Sequence, residues 1–200
     1  MLIKENWIKH PVILSGDIVE LIPLEAKHFD ELYIAASDAE LWKFIPSDCS
    51  VKEKFLSAYS FAIAEREKGN HYPFVIYHKE TKKLIGSTRL FDMVEPDKKL
   101  EIGWTWIVKE HWGTKVNFEC KLLLLTFCFE KLKAIRVQLK TDQNNIRSRT
   151  AIEKIGAKFE GILRKDKIKD NSIPRSSAYY SILDEEWEIV RSDLLSKLEK

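Results

Sequence analysis

The spacing of hydrophobic and polar positions changes along the chain, and each spacing predicts an element. Residues 12–24 alternate around a turn and predict an opening strand or hairpin. A helix is expected from about Glu25 to Ser37. Residues 51–68 place apolar side chains at helical spacing, with Ser50 as a plausible N-cap and a glycine as the stop, and they predict a second helix.

The rest of the chain alternates between predicted strands and helices. Residues 117–132 form the longest apolar helical pattern, with Asn117 as the expected N-cap. The other predicted strands are Phe74–Tyr77, Leu84–Leu90, Leu100–Ile107, Ile135–Lys140, Phe159–Leu163 and Ala178–Leu183, and the other predicted helices are Asn145–Ile155 and Asp184–Lys200. This order predicts a mixed α/β fold in one domain spanning residues 1–200.

Charge and composition exclude several classes of function. The formal net charge is only +2, which argues against a protein that works by coating nucleic acid or a membrane. Residues 131–169 nevertheless carry 12 basic and 4 acidic side chains, so a polyanionic ligand is expected there. Three cysteines without metal-type spacing, and the lack of any signal-like or membrane-spanning apolar run, favour a reducing cytoplasmic location.

The strand at Leu100–Ile107 runs into a short loop, Lys109–Val116, and then directly into the long apolar helix. Such a unit presents free backbone N–H groups and the positive end of a helix dipole, which suit a pyrophosphate. Taken alone, the loop favours an ordinary strand-to-helix turn over a phosphate site.

The segments EIGWTWIVKEHWGTKVNFECKLLLLTFCFE and RVQLKTDQNNIRSRTAIEKIGAKFEGILRK resemble the GNAT acetyltransferase superfamily, and more narrowly its RimJ/RimL type. The resemblance runs over nearly the whole chain, and its most specific block is Asn145-x-x-Ser148 with Lys154-Ile155-Gly156-Ala157. It implies the GNAT fold, a twisted mixed sheet of about seven strands flanked by helices, here with an extra C-terminal helix. It also implies acetyl-CoA as co-substrate, held where two central parallel strands splay.

The resemblance assigns the CoA pyrophosphate to the loop before the long helix. Lys115 stands where the family's first glycine is usual, and Asn117 replaces a small residue. The expected CoA-binding residues in this part of the chain are Ile107, Val108, Lys109, Trp112, Gly113, Thr114, Lys115, Val116 and Asn117.

On the helix that follows the next strand, Asn145 and Ser148 share one face. From spacing alone, Asn145 is an N-cap and Ser148 a surface residue; the resemblance instead assigns both to the CoA arm. Many relatives carry a tyrosine four residues further on, which protonates the departing thiolate, but that place is Ile152 here. Ser148 is therefore the predicted acid that protonates the thiolate, because its hydroxyl can donate a hydrogen bond to the sulfur, and solvent is the alternative.

Glu101 is the candidate general base for the incoming amine. Strict alternation puts Leu100, Ile102, Trp104 and Trp106 on one face of the strand and Glu101 with Gly103 and Thr105 on the other. A carboxylate on a central strand is either paired structurally or meets substrate, and the family's frequent glutamate at this place favours the second interpretation. It acts directly or through a water.

The acceptor pocket is assigned to four residues. The resemblance places Trp42 and Phe44 in a loop that lines this pocket in relatives, although core packing explains them equally well. Arg89 and Tyr180 are weaker candidates. The five histidines lie at no metal-ligand spacing, and acetyl transfer needs no metal, so none receives a role.

Together these observations predict an N-acetyltransferase in which a primary amine, of a protein N-terminus or a small molecule, attacks acetyl-CoA directly in a ternary complex. One alternative is a GNAT fold that binds acyl-CoA as a sensor without turnover, and another is RNA binding through the basic stretch. A homodimer is expected from the resemblance to the family. The sequence does not identify the acceptor amine.

Overall fold

The computed structural model describes residues 6–199, and a single eight-stranded sheet organises them. The strand order is β1-β2-β3-β4-β5-β6-β8-β7, and neighbouring strands are antiparallel except β5 and β6, which are parallel. The strands are β1 Leu14–Ser15, β2 Val19–Pro23, β3 Tyr72–His78, β4 Lys83–Val94, β5 Lys99–Ile107, β6 Arg136–Asp142, β7 Lys158–Ile168 and β8 Pro174–Leu183.

Within these described residues, five α-helices cover the two faces of the sheet. They are α1 Phe29–Ala35, α2 Lys52–Glu67, α3 Lys115–Thr126, α4 Ile146–Lys154 and α5 Trp187–Glu199. Side chains of α3, α4 and α5 pack into the larger apolar cluster on one face, and those of α1 and α2 pack into a second cluster on the other face. The mixed α/β architecture predicted from the sequence is confirmed.

The sheet has eight strands, one more than the approximate seven expected, because the opening hairpin includes the two-residue strand β1. The predicted helix at Glu25–Ser37 is divided into a 3-10 turn over Ala26–His28 and the shorter α1. The last predicted helix begins with a 3-10 turn at Asp184–Glu186, and its final residue, Lys200, lies outside the described residues.

Two predicted helix caps are wrong. The helix predicted from Asn117 begins two residues earlier, because the Thr114 side chain accepts a hydrogen bond from the Val116 N–H and ends the extended segment there. The same helix passes into a π-helical turn at Phe127–Lys131. Ser50 does not cap α2, since its hydroxyl donates to the Asp48 carboxylate over 2.6 Å.

Candidate active site

A cavity opens in the middle of the sheet where the two parallel strands separate. β5 and β6 pair only over three residues, from Lys99 opposite Arg136 to Glu101 opposite Gln138. Beyond that point the strands diverge, and a cavity of about 700 Å³ extends between them. Its wall includes residues of α3 and α4 on one side and of the loop before α2 on the other, so the cavity reaches both faces of the sheet.

A β-bulge at Trp104 shapes this part of β5. Trp104 has a φ of 51°, and the register with β4 shifts between Ser87, opposite Trp106, and Arg89, opposite Gly103. An extra residue on one strand reverses the inward and outward alternation after it. The predicted common face for Leu100, Ile102, Trp104 and Trp106 is therefore wrong.

The residues on either side of the bulge belong to different cores. Leu100 and Ile102 pack in the cluster under α3, whereas Trp106 packs in the other cluster, with its ring centroid 5.4 Å from that of Trp42. Trp104 itself is 38% exposed and lines the cavity. The bulge also interrupts the regular pairing of β5 with β4. On its other side, the same stretch of β5 is no longer paired with β6.

The loop before α3 forms one end of the cavity. Trp112, Gly113, Thr114 and Asn117 lie on the cavity wall, together with Ile107 at the end of β5. Gly113 has a φ of 73° and a Cβ there would meet no atom within 4 Å, so backbone conformation and not crowding favours glycine. The first N–H groups of the 12-residue helix α3 point from this end and suit an anion.

Four other residues predicted for this loop have their side chains or amides engaged elsewhere. The Lys115 ammonium donates to the Leu198 carbonyl over 2.7 Å, and the Lys109 ammonium pairs with Asp38 at 2.9 Å and also with Glu40. Val116 is buried in the core under α3. The N–H of Val108 donates to the Ile85 carbonyl over 2.9 Å, so it is committed to the sheet.

Helix α4 brings Asn145 and Ser148 to the cavity. The Asn145 side chain accepts a hydrogen bond from the Ser148 N–H over 3.1 Å, so it caps α4 as well as lining the cavity. The Arg147 guanidinium lies 3.2 Å from the centroid of the Trp112 ring, joining α4 to the loop before α3. Ile152, at the place of the family's tyrosine, is 8% exposed and also lines the cavity.

Glu101 is buried at the point where the strands part. Its Oε2 accepts a hydrogen bond from Gln138 Nε2 over 2.8 Å and lies 3.0 Å from Lys140 Nζ. Burial raises the pKa of Glu101, although Lys140 and Gln138 act in the opposite direction. Gly103 leaves room for this arrangement, since a Cβ there would lie 2.8 Å from the Phe91 ring and 3.2 Å from Glu101 Oε1.

The far end of the cavity is apolar and aromatic. Phe44 lies on its wall, as predicted for an acceptor pocket, and is joined by other apolar side chains: Leu41, Ile45, Pro46, Phe61 and Phe91. These residues come from the loop before α2, from α2 itself and from β4, so only the folded chain brings them together.

Three predicted acceptor residues lie within the surrounding core. The Trp42 indole donates to the Ala36 carbonyl over 2.8 Å. The Arg89 guanidinium is buried 4.7 Å from the centroid of the Trp104 ring, and its Nε has no hydrogen-bond partner among the described residues. The Tyr180 hydroxyl is bonded to Arg149 at 2.9 Å and to Glu153 at 3.0 Å.

Sequence reasoning missed several residues of the cavity wall. His71 and His111 line it, although no histidine was given a role. Lys121 and Arg147 line it as well. The excess of basic residues in the stretch 131–169 was a signal for Arg147. Lys121 had no such signal, because it stands on the apolar face of α3.

Two absences among the described residues bear on the kind of site. No group of three or more His, Cys, Asp or Glu side chains between residues 6 and 199 is placed to hold a metal ion. In the same part of the chain, no helix combines the length and the apolar character needed to cross a membrane.

Comparison with known proteins identifies the family. The family described as "Acetyltransferase (GNAT) domain" matches residues 19–158. YdaF of Bacillus subtilis (strain 168), by name a ribosomal N-acetyltransferase, is 35% identical over 105 residues. That match covers 52% of this chain and 56% of YdaF, so it spans little more than half of the relative's length.

Solved structures share the fold. A protein from T. thermophilus, described as an acetyltransferase, superposes with a TM-score of 0.86 and 31% identity, over 96% of this chain and 99% of the other. RimJ of Mycobacterium smegmatis, solved in complex with CoA-disulfide, superposes with a TM-score of 0.77 over 92% of this chain and 90% of its own. At 21% identity the RimJ comparison supports the fold alone.

Proposed function

The chain belongs to the GNAT acetyltransferase family, and on that premise we propose that it transfers an acetyl group from acetyl-CoA to a primary amine. The observation that carries the proposal is the cavity between β5 and β6, with helix N–H groups at one end and a buried carboxylate in its wall. Acetyl-CoA is an extended molecule with a diphosphate in one part and a thioester at the far end. The helix N–H groups suit the diphosphate, and the buried carboxylate suits chemistry at the thioester.

Binding of CoA is assigned to the loop before α3 and to the start of α4. The N–H groups after Thr114 would donate hydrogen bonds to the pyrophosphate, and Trp112, Gly113 and Asn117 form the surrounding wall. Asn145 and Ser148 would face the pantetheine arm. The ammonium groups of Lys109 and Lys115 pair with other groups of the chain, which makes a direct phosphate contact by either of them less favourable.

Glu101 is proposed as the base that removes the proton from the amine, directly or through one water. It lies in the cavity wall, where burial raises its pKa and Lys140, 3.0 Å away, favours its ionised form. The bulge at Trp104 offers backbone N–H groups to the developing oxyanion. Ser148 is proposed to donate a hydrogen bond to the departing sulfur.

The acceptor is proposed to carry an apolar or aromatic group next to its amine, since Phe44, Phe61 and Phe91 line the end of the cavity that faces α2. An N-terminal residue of a protein fits this description, and the name of YdaF supports that class. A small amine with an aromatic body fits equally well.

We further propose that residues 1–200 act as one domain and that the protein forms a homodimer. Scattering in solution would measure the oligomeric state.

The proposal is tested by calorimetry with acetyl-CoA, followed by measurement of CoA release over a panel of amines and N-terminal peptides. We expect binding, and turnover that is fastest on acceptors with an apolar residue beside the amine. Absence of binding to any CoA species would overturn the proposal. Binding without release on every acceptor would instead favour a sensor, an alternative that the buried Ile152 in place of a tyrosine supports.

A further inference from the structure

Lys121 is a buried lysine in the wall of the cavity, and the roles proposed for Glu101 and Ser148 do not involve it. It lies in the second turn of α3 and is 5% exposed. Its Nζ donates to Thr105 Oγ1 over 3.0 Å, and Thr105 Oγ1 is hydrogen-bonded to Thr88 Oγ1 at 2.7 Å. The two threonines therefore hold the ammonium group beside the bulge in β5.

This ammonium group has no counter-charge within the described part of the chain. Of the described residues, none places a carboxylate oxygen within 4.0 Å of Lys121 Nζ, and one of its three N–H groups has a hydrogen-bond partner. Burial lowers the pKa of Lys121 to about 8, and only the thiols of Cys120 and Cys128 act in the opposite direction. An unpaired buried charge is costly, so a structural role alone does not explain the lysine.

Lys121 and Glu101 lie on opposite faces of the sheet. Glu101 precedes the bulge and points to the face of Gln138 and Lys140, whereas Thr105 follows the bulge and points to the face of α3. The cavity thus has a proton acceptor on one face of the sheet and a proton donor on the other. This arrangement would assist direct attack on a thioester, because the incoming amine loses a proton and the departing thiolate gains one.

We propose that Lys121 is the general acid that protonates the leaving sulfur, an inference that rests on the proposed acetyl transfer. The amine nitrogen forms its bond to the acetyl carbon, its proton passes to Glu101, and the carbon–sulfur bond breaks. A proton from Lys121 Nζ moves to the sulfur, giving CoA thiol and a neutral lysine. Exchange with solvent then returns a proton to Lys121 and removes the one on Glu101.

Lysine suits this step better than the hydroxyl of Ser148. A serine hydroxyl can donate a hydrogen bond to sulfur, but it is too weak an acid to release its proton to a thiolate. An ordinary thiol has a pKa of about 8.5, close to the value for Lys121, so the proton transfer is nearly balanced in free energy. The two residues lie on the same cavity wall and have complementary roles, Ser148 orienting the sulfur and Lys121 supplying the proton.

The test compares binding of CoA with binding of desulfo-CoA, which lacks the sulfur, by calorimetry between about pH 6.5 and pH 9. In the wild-type protein, the preference for CoA should rise up to about tenfold between about pH 6.5 and pH 8, because the thiolate pairs with the lysine ammonium, and it should fall at higher pH as the lysine loses its proton. In K121M the preference should stay constant or fall. The matched control is K83M, which removes an exposed lysine at the start of β4, outside both the basic stretch and the cavity wall.

A kinetic measurement separates this role from a structural one. K121M should reduce kcat roughly 30-fold to 1,000-fold with little change in the Kd of acetyl-CoA, which has no ionisable thiol, and the fall of kcat/KM above about pH 8 should disappear. Its thermal stability should equal or exceed that of the wild type, since an uncompensated buried charge is removed. Chain unfolding would therefore not explain a loss of activity.

The possible failures are distinguishable. If the wild-type protein binds no CoA, both the acetyl transfer and the role of Lys121 are overturned. If it binds CoA and acetylates amines, but K121M keeps the same sulfur preference and a kcat within about threefold of the wild type, only the role of Lys121 is overturned.

Discussion

Glu101 combines three properties that a general base needs: it is ionisable, it borders a cavity, and its surroundings raise its pKa toward the working range. Burial is the main cause of the raised pKa. Lys140, at 3.0 Å, keeps the carboxylate form accessible. The balance between these two effects determines the pH at which the base becomes active.

E101Q should lower kcat/KM about 10²-fold to 10⁴-fold, because the amide retains the shape of the side chain but does not accept a proton. In the wild type, kcat/KM should rise with pH through the raised pKa of Glu101, since only the ionised form is the base. This acid limb should be absent from E101Q. The measurement is a pH–rate profile with acetyl-CoA and the best acceptor of the panel.

The control for this variant is E95Q, which removes an exposed carboxylate after the end of β4 and should leave the profile unchanged. A fall of less than about fivefold in E101Q, with the acid limb retained, would show that solvent alone removes the proton.

At the scale of single residues, sequence reasoning found a residue of the cavity wall where the signal is local. A glutamate near a glycine on a central strand is an unusual packing choice, so Glu101 stood out, and it is buried in that wall. Lys121 was not, because its position on the apolar face of a helix gives it no local signal. Its significance depends on Thr105, whose direction is set by a bulge that alternation does not reveal.

At the scale of elements, Glu119 links α3 to the opening hairpin. Its carboxylate accepts three backbone hydrogen bonds, from the N–H groups of Asp17 and Ile18 at 2.8 Å and of Val19 at 2.6 Å. Gly16 is required beside it, since a Cβ there would lie 2.3 Å from the Glu119 carboxyl carbon. One side chain thus fixes the first two strands against the helix that borders the cavity.

E119A should lower the free energy of unfolding by about 2–4 kcal/mol, because it leaves backbone N–H groups without their acceptor. E119Q should lie between the alanine variant and the wild type, since one oxygen remains. Urea denaturation measures the change, and hydrogen exchange should show faster exchange at the amides of Asp17, Ile18 and Val19. E53A, an exposed change in the first turn of α2, is the control. Unchanged protection of the three amides would contradict this role for Glu119.

Element types were predictable from the sequence, whereas their ends were not. Helix α4 begins after Asn145 as predicted, because that side chain can satisfy an amide three residues further on. For α3 the sequence predicted Asn117 as the cap, whereas Thr114, three residues earlier, caps the helix. The helix that starts there buries Val116 and Cys120, and this tertiary packing has no counterpart in a local capping pattern.

At the scale of the whole molecule, the order of the elements indicated the family, but the cavity depends on pairing between distant strands. The short register between β5 and β6 determines where the sheet opens, and β6 begins nearly 30 residues after β5 ends. The same topology brings part of the basic stretch 131–169 to the cavity. Four of its cationic side chains lie in the cavity wall: Lys140, Arg147, Lys154 and Lys167.

The cavity as a whole is electropositive, which leads to a prediction about salt. Its lining includes six cationic side chains, Lys121, Lys140, Arg147, Lys154, Lys167 and Arg175, and two acidic ones, Asp92 and Glu101. The Kd of CoA, measured by calorimetry, should therefore rise roughly tenfold between about 50 mM and 500 mM salt, as charges near the surface are screened. Acetyl-pantetheine, which lacks the phosphates of CoA, should bind more weakly and change less than about twofold over the same range. Equal salt dependence of the Kd for the two ligands would contradict the assignment of the basic stretch to CoA. Salt-sensitive RNA binding that acetyl-CoA does not displace would assign that stretch to nucleic acid instead.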